Sequence, residues 1–345
     1  MKKMFLMLIG AIMSCAISAQ VLEENEAALV YYSPKTAISL DFAFTVETAE
    51  RGIYADYAEA MLGADEVVTE NQTSYSLNGV HIGTATSADY SRPHKVSQEA
   101  GIPLLLSINE KGLLKGYNLP ADLEKPAPRK ESNHKKPTEK PITVAPYPEE
   151  VLEAATPLAQ ANAAAKQIFH LREIRMYLLS GELEHAPADG TAMRLVLEEL
   201  DKQEQVLTEL FVGKKSVRTE HKRVTFMPTE KEMLWFFSEE NGFTDAENID
   251  ADTIKVNIQL HPQTLKAPED VKKKKKGAEV SQIVYNLPGS GNVTVTFDGR
   301  TLAKRTIPIA QLGVDVPLSK DIFTGATLPI IIFNEKTGNI ISINR

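Results

Sequence analysis

Cysteine is nearly absent. The 345 residues contain one, Cys15, inside an N-terminal apolar run. No second cysteine exists to form an intramolecular disulfide or to build a cysteine zinc site. Long apolar stretches are also scarce. After the run Met4–Ile17 nothing is long enough for a membrane-spanning helix, which needs about 20 apolar residues. The signatures of several enzyme classes are missing: there is no G-x-x-x-x-G-K phosphate loop, no dinucleotide fingerprint and no G-x-S-x-G elbow. The seven histidines include no two at a ligand-like spacing, and each reads as a surface or capping residue. No catalytic, cofactor-binding or metal-ligating residue emerges, and no cofactor is implied.

What is present begins with an address. Lys2 and Lys3 precede the apolar run, and "SAQ" follows it. This pattern predicts a secretory signal peptide over residues 1–19, cut after Ala19. Removal of the two lysines takes the formal net charge from −8 to −10. The rival cut would leave Cys15 as a lipidated first residue. "IMSC" matches that signal poorly, and apolar residues continue past it. The chain is therefore expected to be exported, to the periplasm or the outer cell surface. Nucleic acid is a poor partner for an exported chain of this charge.

The stretch from Pro148 to Gly213 organises the rest. Ala161, Ala164, Ala165, Ile168, Leu171 and Leu178 recur at helical spacing, and Gly181 ends that helix. Pro187 and Gly190 interrupt, and Asp189 is placed to cap a second helix. Met193, Val196, Leu200, Gln203, Leu207 and Leu210 then form a heptad seam, with Glu198 and Lys202 set for an i,i+4 pair. Residues 148–213 are predicted to be an antiparallel helical hairpin. An exposed second apolar stripe on it would mark a partner-binding surface rather than a spacer.

On either side the pattern is β. Residues 20–119 read as an N-terminal β domain with one short helix, in which Tyr54, Tyr57, Ala58 and Met61 share a face. Pro34 predicts a bend or sheet edge. Asn78-Gly79 predicts a tight hairpin, and Asn109 to Gly112 a second. Residues 120–147 are a Pro/Lys/Glu-rich linker. Residues 214–345 read as a C-terminal β domain, with a hairpin at Asp298-Gly299 and a turn at Gly289-Ser290-Gly291. "IPLLLSINEKGLLKGYN" corresponds to "LPIIIFNEKTGNIISIN", and "LVYYSP" to "IVYNLP". The fold expected is α+β: two sandwich-like β-rich lobes, related by an internal duplication and connected through the hairpin.

Three clusters invite a sharper reading. Asp245, Glu247, Asp250 and Asp252 crowd together but lack the EF-hand order, so a solvated loop is expected. Lys272 to Lys276 read as a solvated charged loop. Trp235, Phe236 and Phe237 suit a sugar platform or, with apolar neighbours on both sides, a core strand.

The segment "IFHLREIRMYLLSGELEHAPADGTAMRLVLEELDKQEQVLTELFVGK", with "VYYSPKT" and "YADYAEAMLG", resembles a family of secreted Bacteroidetes proteins known as domain of unknown function 4831. The resemblance implies an envelope protein with this β–helix–β layout and carries over no catalytic residue. The functional expectation is a non-catalytic binding or scaffolding module, with another envelope protein or a glycan as partner. The alternatives are a glycan- or peptide-acting hydrolase using carboxylates assembled by the fold, and a subunit of a surface fibre or secretion assembly.

Overall fold

A computed structural model describes residues 28–97, 103–120, 149–181, 189–229, 231–244, 251–265, 282–323 and 327–345. The predicted signal peptide with Cys15, residues 121–147 of the linker, the helix connector 182–188, Asp245, Glu247, Asp250 and the lysine run 272–276 lie outside the described residues.

The fold is α+β, with antiparallel strands dominating. Strand β1 (Ala28–Glu50) pairs along most of its length with β2 (Gln72–Ser97), and its second half pairs on the other side with β5 (Lys214–Phe226). Residues 38 to 46 of β1 alternate strictly between buried and half-exposed, so one face of this sheet meets a core and the other meets solvent. The second sheet runs β10-β9-β8-β6-β7, from β6 (Met233–Ser238), β7 (Gly242–Thr244), β8 (Asp252–His261), β9 (Val284–Phe297) and β10 (Arg300–Pro317). Ile38, Leu40, Phe42, Phe44 and Val46 of the first sheet share one buried cluster with Ile254, Val256, Val293 and Val295 of the second. The two sheets therefore form a sandwich.

The third sheet is ordered β12-β11-β4-β3. It contains β3 (Leu106–Ile108), β4 (Leu114–Tyr117), β11 (Ile330–Phe333) and β12 (Ile340–Asn344). β11 pairs with β4, as β1 pairs with β5. The β regions drawn from sequence on either side of the hairpin thus interleave, each completing a sheet of the other.

The correspondence between the two β regions extends to single hydrogen bonds. The Tyr32 amide donates to the Gly112 carbonyl at 2.9 Å, and the Asn286 amide donates to the Gly338 carbonyl at 2.9 Å. In the aligned segments Tyr32 matches Asn286. Both glycines have positive φ, 78° and 80°. Within the turns, Asn109 Oδ1 accepts from the Lys111 amide at 2.9 Å, and Asn334 Oδ1 from the Lys336 amide at 3.0 Å. β1–β2 and β9–β10 also bulge at matching places, with the extra residues on the second strand each time.

Helix α1 (Ala58–Leu62) follows a 3₁₀ turn at Ala55–Tyr57 and ends at Gly63, in the left-handed conformation. α2 (Glu149–Glu153) leads into the hairpin of α3 (Pro157–Ser180) and α4 (Gly190–Val212). Thr156 caps α3 and Asp189 caps α4, each accepting a backbone N–H three residues on. The buried residues of α3 are the six read from its periodicity. All of them but Leu178 pack with Tyr54, Ala58, Leu207 and Phe211, which anchor the hairpin to the α1 segment.

Several local expectations are corrected. Asn78-Gly79 is not a hairpin turn. β2 runs straight through it, Asn78 is the extra residue of a bulge between Leu77 and Gly79, and its side chain bonds Thr45 Oγ1. The continuous partner strand β1 outcompetes the local turn. Gly289-Ser290-Gly291 lies inside β9, paired with Ile309, Pro308 and Ile307. A Cβ at Gly289 would stand 2.8 Å from the His261 carbonyl oxygen, so glycine serves close backbone approach there. On α4 the buried residues are Leu207 and Phe211, whereas Val196 is exposed. The helix turns Phe211 rather than Leu210 toward Tyr54, with ring centroids 5.4 Å apart. Glu198 pairs with Arg194 and Lys202 with Glu199.

Candidate functional site

Two places concentrate side chains that the fold alone does not require. The first is the seam where the two β repeats meet. Ser33 on β1 is buried, and its Oγ lies 2.7 Å from His94 Nε2 on β2. Asp315 on β10 completes the group. Its Oδ2 is 2.5 Å from the Arg92 guanidinium and 3.8 Å from His94 Nε2, and its Oδ1 accepts from Ser33 at 3.5 Å. The β2 bulge beside Tyr32 and Ser33 aims Arg92 and His94 at β10.

The residue types are those of a serine hydrolase, but the arrangement is different. In a triad the carboxylate orients the imidazole through the nitrogen opposite the serine. Here hydroxyl and carboxylate approach the same nitrogen, Nε2. The group instead clasps β1, β2 and β10 together.

Burial of His94 pushes its pKa below the ordinary histidine value. Arg92 pushes the same way, and Asp315 partly opposes both. The unfolded chain therefore binds this proton first as pH falls below about 6.5. The stability involved is full above that pH and is lost as pH falls through the folded value. His94→Gln is expected to flatten the acid limb of stability below about pH 6.5, read as urea midpoints against pH. Asp41 and Asp89 act at lower pH. Arg223 holds the Asp41 carboxyl below its usual range, and Ser91 does so for Asp89. An unchanged limb in the variant would show that His94 titrates as it does in the unfolded chain.

The second place is the hairpin. Leu158, Phe169 and Met176 of α3 are about half exposed or more, at 49%, 49% and 63%. Their spacings of eleven and seven residues put them on one line along the helix. Tyr177, Leu179, Leu195 and Val196 are exposed toward the same end of the hairpin. This is an exposed second apolar stripe, opposite in character to the polar outer face of a plain packing helix. Along the contact of the two helices, Arg172 and Arg175 of α3 reach Glu204 and Asp201 of α4 at 2.6 and 2.7 Å.

Other marked residues disperse. Trp235 packs at a tilt to Phe42 and Phe226, with centroids 6.3 and 6.1 Å away, at the sandwich core rather than on an open platform. Phe237 is buried and Leu234, on the opposite face, is exposed. Of the acidic cluster only Asp252 is described, at the start of β8. Among the described residues no three His, Cys, Asp or Glu side chains group as metal ligands. No described helix is long and apolar enough to cross a membrane. Sequence reasoning missed Ser33, His94 and Asp315 as a group. They are 61 and 282 positions from one another along the chain, and only the repeat packing unites them.

The family described as Domain of unknown function (DUF4831) matches residues 27–341. The chain belongs to the DUF4831 family. Its match begins just before β1 and ends within β12, so the DUF4831 region takes in both repeats and the hairpin between them. Neither a curated protein nor a solved structure matches this DUF4831 chain.

Proposed function

We propose that this protein is an exported, non-catalytic binding or scaffolding module of the cell envelope, with the helical hairpin as its docking arm. The observation that carries the reading is the exposed apolar line Leu158, Phe169 and Met176 on α3. A solvent-facing helix is ordinarily polar on the side turned away from its core. Clustered large apolar side chains on a projecting element are typical of protein interaction surfaces. The charged start and apolar run at residues 2–17 support export.

Affinity purification of the tagged protein from its own envelope, read by mass spectrometry beside a glycan profile, tests the proposal. A stoichiometric protein partner lost on Met176→Glu is the expected result. Recovery of nothing but the bait, at every detergent and salt condition, would overturn it.

A further inference from the structure

We infer that α3 docks antiparallel on α3 of a second copy of this chain, joining two hairpins around a two-fold axis. The inference rests on the docking-arm reading above and names its partner.

The hairpin is short of packing. Helices in water draw most of their stability from a covered apolar face. The base of the hairpin has such cover from Tyr54, Ala58 and Val151. Toward its far end the buried side chains of α3 reduce to Leu171 and Leu178, while Phe169, Met176 and Leu179 stand exposed. A second layer of helix would cover them.

The charge pattern selects the occupant. On α3, Lys166 and Glu173 flank Phe169 and His170 symmetrically in sequence. A two-fold axis crossing the helix between Phe169 and His170 sets Lys166 opposite the partner's Glu173, and does so twice. The same register sets Phe169 opposite the partner's His170, next to the partner's Phe169, and brings Met176 level with the partner's Asn162 and the partner's Ala163. A contact that satisfies itself under two-fold rotation is the requirement for an isologous dimer. The alternative of strand pairing through β5 meets the opposite condition. In an antiparallel β5 pair centred on Glu220, Arg218 would face the partner's Lys222.

The size of the contact sets the affinity. α3 has 24 residues. At about 1.5 Å per residue and a face about 10 Å wide it offers on the order of 350 Å² per copy. The total falls below the roughly 1,600 Å² of a standard interface, so the dimer should be dynamic and micromolar rather than obligate.

The test is sedimentation equilibrium of the full chain across about 1 to about 200 µM, spanning the micromolar range in question. The expected mass rises from that of one chain toward twice that value. Phe169→Glu with Met176→Glu should hold it at one chain with an unchanged thermal melt. Lys166→Glu should weaken association about tenfold, the size of a desolvated charge reversal. Adding Glu173→Lys to Lys166→Glu should restore it, which no loss of folding can mimic. A single-chain mass throughout overturns self-association. So does a dimer indifferent to all of these changes. In either case an envelope partner lost on Met176→Glu would leave the docking-arm reading standing.

Discussion

Gly213→Val is expected to lower the unfolding free energy by about 2 to 6 kcal/mol, the combined cost of backbone strain and overpacking. Gly213 turns α4 into β5 with φ 83° and ψ −176°, a conformation open essentially to glycine. That strain alone costs about 1 to 3 kcal/mol. A side chain there would also collide with the Glu50 carbonyl oxygen and press within 2.8 Å of Val68 Cβ. Neither neighbour can yield cheaply. Glu50 ends β1, and the Val68 amide is held by the Val212 carbonyl at 2.9 Å. The joint also fixes Tyr54, whose amide donates to Leu210 at 2.7 Å. Chemical denaturation followed by circular dichroism would measure the loss. A midpoint equal to that of the parent would mean that the joint adjusts and that the hairpin is not rigidly set on the sheet.

Asn286→Leu is expected to cost about 2 to 5 kcal/mol, through two buried carbonyls left without donors at about 1 to 3 kcal/mol each. Asn286 is 2% exposed. Its Nδ2 donates to Ala310 at 2.9 Å and to Thr337 at 2.8 Å, tying the β10 bulge to the turn after β11. Leucine is close in size, so the change isolates the polar loss from any cavity. Thermal unfolding of the variant beside Asn286→Asp would check it. An unchanged Tm for the leucine form would mean that those carbonyls find other donors.

What could be read from the sequence depended on how local each cause was. The buried face of α3 was legible residue by residue, because one helix face meets one core and the period follows. Asp298-Gly299 was legible for a similar reason. Both residues have positive φ, 44° and 72°, as a tight hairpin between β9 and β10 demands. Asn78-Gly79 carries the same local signal with the opposite outcome, because β1 continues past it and offers partners on both sides. The glycines of β9 looked like a turn because the residues crowding them, Leu312 and His261, are distant in sequence. The repeat was visible as paired strings, but its strand exchange was not. Nothing in either string says that β4 will sit beside β11. The Ser33–His94–Asp315 clasp follows from that packing and was equally hidden. The exposed line on α3, at Leu158, Phe169 and Met176, was not read from the sequence, because apolar residues away from the buried face add no period of their own to it.

The β4–β11 pairing sets a timetable for the chain's birth. Tyr117 of β4 bonds opposite Ile331 of β11, roughly 200 residues further on. At synthesis rates of about 5 to 20 residues per second, β4 waits on the order of 10 to 40 s for its neighbour to be made. Throughout that interval an apolar strand edge has no mate. A nascent chain in that condition is exposed to wrong pairings, including those with β4 of another nascent chain. The interleaved sheet therefore favours delivery of the whole polypeptide before folding begins, and it should make refolding from denaturant slow, with yield falling as concentration rises.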